Sequence, residues 1–301
     1  MKKLLLIATG GTIACRETEN GLSPALDGAA LLDFVPELRD FCTVDVRDLM
    51  QLDSTDLTAA DRLAMAHAVR DAQDRYDGFL IAHGTDTLSY TAALLFYLLA
   101  DLTKPVVLTG SMLPMGAAGS DAPRNLLDAA RVAADGRAGV TAVLSGKILA
   151  GDRVCKFDSH AIDTFVSAGA PPLGFVGTDS KVRWDVPAAP PAASAPDAID
   201  PHVLLIKLTP DLDPTFFAVL CGYPKVILET FGAGGIPVRL EDAVRDLIAS
   251  GTRVYITSQC PAGGVDLHRY AVGRRAEALG AVSLGARTTE AALAAVQCGL
   301  V

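Results

Sequence analysis

Short, nearly continuous apolar runs alternate with stretches of helical spacing along the first half of the chain. Residues 4–8 form the first run, and residues 43–46 alternate apolar with polar. Residues 79–82 and 106–108 are again unbroken apolar runs, and residues 140–144 are apolar but for Thr141, which predicts strands buried on both faces. Between them, residues 58–73, 88–99 and 124–134 read as helices. Thr58 is the expected N-cap of the first helix, with Asp61 placed three residues on to close a reciprocal cap. Strand–helix alternation of this kind predicts an α/β fold with a mostly parallel sheet flanked by helices. The pattern then breaks: Ala-Ala-Pro-Pro-Ala-Ala-Ser-Ala-Pro, within residues 187–201, offers little that could pack and reads as a linker. Beyond it, residues 203–208, 226–229 and 254–257 read as strands, with helices near 214–220, at 240–249 and at 289–296. The reading is two α/β domains: a larger N-terminal one at 1–185, a Pro/Ala-rich linker at 186–201, and a smaller C-terminal one at 202–301.

Composition narrows the function. With 301 residues, half of them hydrophobic and a fifth charged, the chain can fill sizeable cores. A formal net charge of -9, dispersed along the sequence, repels phosphate backbones and argues against a nucleic-acid partner. No apolar run approaches the roughly 18 residues that would span a membrane. Met1-Lys2-Lys3 and the run behind it faintly imitate a signal peptide, but the run meets Gly10-Gly11 at once and reads better as a first strand. Six cysteines, at 15, 42, 155, 221, 260 and 298, form no C-x-x-C pair, so they read as small buried thiols of a reducing compartment.

In open parallel sheets, ligands bind beyond the carboxyl ends of the strands. Three polar, glycine-punctuated segments lie there: Gly10-Gly11-Thr12, His83-Gly84-Thr85-Asp86-Thr87 and Thr109-Gly110-Ser111. The first is neither a dinucleotide fingerprint nor a phosphate loop. Its glycines permit close backbone approach, with the Thr12 hydroxyl at the tip; an ordinary strand-to-helix turn would look the same. The second packs two hydroxyls and a carboxylate behind a buried strand. A hydroxyl paired with a lysine can be activated as a nucleophile or can activate water, and Lys147 and Lys156 are the lysines nearest the middle of the chain. His83, beside a glycine and without a histidine at matching spacing, reads as structural.

The segments T-G-G-T-I-A and H-G-T-D-T together resemble the two signatures of the bacterial-type L-asparaginase family. The resemblance extends over Leu52-Asp53-Ser54-Thr55-Asp56, Lys104-Pro105-Val106-Val107-Leu108-Thr109-Gly110-Ser111, Thr257-Ser258-Gln259-Cys260 and Thr289-Glu290-Ala291-Ala292, in order and over nearly the whole chain. The later segments are similar to the cytoplasmic, type I branch. The resemblance implies Thr12 as the nucleophile on a side-chain amide, and Thr85, Asp86 and Lys156 as a unit that moves protons. It implies a substrate pocket of Gly11, Asp53, Ser54, Thr55, Gly84, Asp86 and Ser111, with Asp86 on the α-ammonium and the Asp53–Ser54–Thr55 turn on the α-carboxylate. It implies an amino-acid substrate, no metal or organic cofactor, a cytoplasmic location and a homodimer or homotetramer. Helix 289–296, with much apolar surface for a short domain, is expected to lie half covered in a single chain. Glutamine, or a role in an amidotransferase complex, is the alternative, and an amino-acid-binding module without catalysis is the reading from another class. The polar segment 14–24 is expected to be a lid, and it carries Leu22 where many members have a tyrosine. Cys260 is expected to be core packing, or to lie near the second, regulatory asparagine site of some type I members.

Overall fold

The computed structural model describes residues 1–18 and 21–301, with backbone alone at 17, 18 and 22–24. The chain divides into two compact units, one of Met1–Ser167 with Pro171–Ala198, the other of Ala168–Ala170 with Ile199–Val301.

The first unit is built on β1 (Lys2–Gly10), β2 (Cys15–Thr18), β3 (Gly21–Pro24), α1 (Gly28–Asp33), β4 (Cys42–Leu52), α2 (Ala59–Arg70) and β5 (Gly78–Ala82). There follow α3 (Leu88–Leu98), β6 (Pro105–Thr109), α4 (Ala122–Asp135), β7 (Gly139–Leu144), β8 (Lys147–Ala150), β9 (Val154–Lys156), β10 (Phe165–Ser167), β11 (Gly174–Val176) and β12 (Val182–Trp184). Eight strands form one sheet in the order β12-β11-β8-β7-β6-β5-β1-β4, parallel from β7 through β4. The expected parallel strands make up this half of the sheet, with β4 at its edge. Alternate residues on each feed the two faces: Leu4, Leu6, Leu80, Ala82, Val107 and Val143 pack with α1 and α4 in one core. Thr58 and Asp61 make the reciprocal cap of α2, each accepting the other's backbone N–H, a pair whose loss typically costs about 1 kcal/mol.

The far edge departs from a purely parallel sheet. β8 pairs antiparallel with β7, and β11 and β12 continue antiparallel. The cause is the two-residue turn Ser145-Gly146, with φ of 50° and 74°. A turn left-handed at both positions matches strand twist and returns the chain as a hairpin. Of residues 186–201, expected as a linker, those up to Ala198 group with the first unit: Arg137 donates to the carbonyls of Val186 and Pro187, and Ala192 to that of Ala100.

The second unit is a four-stranded parallel sheet, β13 (Val203–Lys207), β14 (Lys225–Thr230), β15 (Arg253–Ser258) and β16 (Val282–Ser283), with α5 (Glu241–Ala249), α6 (Ala271–Ala278) and α7 (Thr289–Gln297). Val226, Leu228, Val254 and Ile256 face α5 and α6, while Ile227 and Tyr255 face α7. Ala292 and Val296 of α7 pack there, with Leu293 against them, and Ala291, Ala294 and Ala295 are buried as well. The expectation of a half-covered terminal helix is therefore overturned, because the sheet of its own domain covers it. Among the described residues, no helix is long and apolar enough to cross a membrane.

Candidate active site

The parallel register of β4, β1, β5 and β6 brings the loops after these four strands to one edge of the sheet. Gly10 and Gly11 have φ of 97° and 78°, values that L side chains resist. The Gly11 N–H donates to Leu52 at the end of β4. A Cβ on Gly11 would lie 2.2 Å from Gly84 Cα, so the first and second glycine loops touch through backbone. A Cβ on Gly84 would meet Ser54 at 2.7 Å, and one on Gly110 would lie 2.4 Å from His83 O. The predicted convergence is thus a set of close contacts, backbone on backbone at Gly11 and Gly110 and against the Ser54 side chain at Gly84, that leave no room for a Cβ.

Thr12 opens a single 3-10 turn, Thr12–Ala14, and is half-buried. Among the described residues its hydroxyl takes no hydrogen bond. The Thr85 side chain is buried, at 5% exposure, and its Oγ1 accepts from Lys156 Nζ at 3.0 Å. The same ammonium donates to Asp86 Oδ1 at 2.5 Å. Asp86 is 55% exposed as a side chain and Lys156 only 17%, so the carboxylate faces outward and the amine is held inside. Lys147, the other candidate, is committed elsewhere: it donates to Phe165 O and pairs with Asp163, both at 2.5 Å. The two lysines are therefore separated: Lys156 meets Thr85 and Asp86, and Lys147 meets Phe165 and Asp163.

The β4 loop is a tight turn in which Asp53 Oδ1 accepts from both the N–H and the hydroxyl of Thr55, at 2.8 Å each. Ser54 lies buried beneath Gly84, and Thr87 ties the two loops by donating to Ser54 O at 2.7 Å. Ser111 reaches the same edge but is fully buried, its hydroxyl spent on Leu113 O at 2.6 Å. Its place is in bracing the third loop. That loop has a further brace that the sequence reading missed. Asp121 accepts from the N–H groups of Met112 and Leu113, and Asn125 donates to Gly110 O while accepting from Ser145 N–H. A buried asparagine one turn after an aspartate, on the apolar face of α4, was the available signal.

His83 sits under the loops with no exposed surface, and burial pushes its imidazole down to about 4. Cys15 donates to Gly11 O, and burial, with the Asp53 carboxylate nearby, raises its thiol. The expectation of buried cysteines fails at Cys221 and Cys260, which are exposed. Cys260 lies in the loop after β15, its N–H held by Ser258 Oγ at 3.0 Å, and has no core to join. Within the segment expected as a lid, β2 and β3 pair antiparallel; Glu19 and Asn20 lie outside the described residues. Among the described residues, no cluster of three His, Cys, Asp or Glu side chains could hold a metal ion.

This arrangement presents an unbonded hydroxyl on one loop, a hydroxyl–ammonium–carboxylate chain on the next, and a tight polar turn beside them. The family model for the asparaginase N-terminal domain matches residues 3–188, and that for the glutaminase/asparaginase C-terminal domain matches residues 202–301. An L-asparaginase of Thermococcus kodakarensis is 40% identical over 297 residues, covering 97% of this chain and 90% of the relative. The structure of a thermostable L-asparaginase from the same organism superposes with a TM-score of 0.92 at 39% identity, covering 99% of this chain and 92% of the other. A probable cytoplasmic L-asparaginase of Campylobacter jejuni gives 0.86 at 28% identity, over 100% and 95% of the two chains. Matched across both domains and along nearly its whole length, the chain belongs to the asparaginase family.

Proposed function

We propose that this chain hydrolyses the side-chain amide of L-asparagine, giving L-aspartate and ammonia through an ester on Thr12. One observation carries the reading: Lys156 bridges the Thr85 hydroxyl and the Asp86 carboxylate, on a loop packed backbone to backbone against the loop that bears Thr12.

Thr12 Oγ attacks the amide carbon, and its proton is relayed to the amide nitrogen, which leaves as ammonia. The carbonyl oxygen becomes negative during the attack. The N–H groups of Thr12, Thr85 and Asp86 make no hydrogen bond among the described residues and are available to receive it. Preorganised donors of this kind contribute a few kcal/mol each. Water then adds to the ester carbon, gives a proton back to Thr12 Oγ and frees aspartate. Thr85 and Lys156 are the relay: the ammonium stabilises negative charge on the Thr85 oxygen, and Asp86 holds the ammonium in place. The outward oxygen of Asp86 takes the substrate α-ammonium. The turn at Asp53, Ser54 and Thr55 takes the α-carboxylate, with Gly11 and Gly84 as the floor. Ser111 is assigned to loop support and not to ligand contact.

Asparagine is favoured over glutamine, though one methylene is worth only about 1–3 kcal/mol in a pocket. We further assign the protein to the cytoplasm, supported by its likeness to a probable cytoplasmic family member; a homo-oligomer is proposed from the family resemblance alone. The test is Thr12→Ala and Thr85→Ala, each expected to abolish ammonia release while the melting curve stays native. Substantial turnover in either folded variant removes that residue from the reaction.

A further inference from the structure

His83 touches none of the groups assigned to the chemistry by its side chain, yet both of its ring nitrogens are committed. Nδ1 lies 2.6 Å from Gly84 O, and Nε2 lies 2.9 Å from Thr91 Oγ1 on α3. A carbonyl oxygen can only accept, so Nδ1 carries the proton. Nε2 then presents its lone pair, and the Thr91 hydroxyl donates to it. Complete burial disfavours a second proton, so this one neutral tautomer persists through neutral pH. The backbone is fixed as well, since His83 N–H donates to Thr109 O at 2.9 Å.

The consequence lies in the next peptide plane. Every peptide among the described residues is trans, and in a trans peptide the C=O and the following N–H point in opposite directions. With Gly84 C=O drawn onto the ring, the Thr85 N–H is turned away from it. That N–H makes no hydrogen bond among the described residues, although Thr85 is only 5% exposed. Buried amide groups without a partner are rare in folded proteins, and one at a candidate site marks a place for a ligand acceptor.

We propose that His83 is a positioning residue for the reaction: its Nδ1–H locks the Gly84–Thr85 peptide so that Thr85 presents its N–H to the reacting carbonyl and its hydroxyl to Lys156. The proposal rests on the asparaginase reading given above. It separates two roles that a buried histidine could play. If the ring only fills space and satisfies α3, either end of it can be replaced alone. If it fixes the peptide plane, the donor at Nδ1 is the part that matters.

The experiment compares the full-length chain with His83→Asn, His83→Gln and Thr91→Val in steady-state ammonia release from asparagine. Asparagine at 83 can set an amide N–H near the place of Nδ1, whereas glutamine reaches toward that of Nε2. His83→Gln is expected to lose about 100-fold in kcat, the usual effect of misplacing a reacting group by about 1 Å, with KM little changed. His83→Asn is expected to restore most of kcat, and Thr91→Val to lose far less than His83→Gln. Equal losses in the two His83 variants, or an unchanged kcat in His83→Gln, would overturn the lock. Because substitutions at a fully buried site can cost folding, 15N NMR of the unaltered protein supplies a second reading. The ring of His83 must show a protonated Nδ1 and a bare Nε2 at pH 7–8, and the opposite tautomer ends the proposal. A chain that releases no ammonia from asparagine defeats the substrate reading alone, since the tautomer still decides the lock.

Discussion

Replacing Gly11 by alanine separates contact between the glycine loops from simple backbone strain. Gly11 has φ of 78° and ψ of -179°. Only glycine occupies that region freely, and holding alanine there costs about 1–3 kcal/mol. The added Cβ would also lie 2.2 Å from Gly84 Cα and 2.3 Å from Gly84 N. Carbon atoms in ordinary contact keep about 3.5–4.0 Å, so the loops must part by more than about 1 Å. No side chain can swing aside to absorb this, because both neighbours are backbone and the His83 N–H anchors their strand end to Thr109 O. A displacement of that size is worth about 100-fold in rate. Gly119→Ala is the control: its φ is 74° and nothing lies within 4 Å of the added Cβ, so it carries a left-handed penalty without the clash. Ammonia release and thermal unfolding are measured on both. The expected result is at least about a 100-fold loss of kcat/KM for Gly11→Ala and near-normal turnover for Gly119→Ala. Activity in Gly11→Ala within a few-fold of the unaltered chain would show that the loop contact does not set the geometry of the site.

Lys156→Met is expected to lose as much kcat as Thr85→Ala, while Lys147→Met stays near normal because its partners are Phe165 O and Asp163; the reverse ranking would transfer the relay to Lys147. Acid stability follows from His83. Its folded value of about 4 lies below the ordinary 6.5, so the unfolded chain takes up a proton first. Stability is therefore intact above pH 6.5 and falls as pH drops toward 4, by about 3 kcal/mol from this residue. Urea midpoints at pH 7.5 and 4.5 measure the fall, and a folded His83→Asn or His83→Gln variant with the same pH slope as the unaltered chain would refute the assignment. Sedimentation of the purified chain is expected to give at least a dimer; a monomer with full activity would contradict the assembly proposed.

The sequence was most legible where one strong pattern dominates. β1, β5 and β6 are buried on both faces, so their apolar runs are unbroken, and Thr58 with Asp61 marks the start of α2 by capping chemistry alone. The antiparallel edge was hidden because β8 has four residues and β11 and β12 three each, too few to show a period. The turn that reverses the sheet, Ser145-Gly146, declares itself only through its positive φ values. The three glycine loops could be read as strand-end loops, but that Gly11 touches Gly84 is a matter of register. The polar segment 151–156 behind an apolar stretch pointed to Lys156, as did the family resemblance, but its partners could not be read locally, since Asp86 lies 70 residues away. Cys260 misled for a related reason: a thiol following an apolar strand looks buried until the chain is seen to leave the sheet at Ser258.

The central claim is amide hydrolysis of asparagine by Thr12. It is tested most directly by measuring ammonia release from L-asparagine and L-glutamine side by side, with the unaltered chain and with Thr12→Ala. The account predicts rapid release from asparagine, slower release from glutamine, and none from either with the folded variant. Faster turnover of glutamine than of asparagine, or undiminished release by Thr12→Ala, would contradict it.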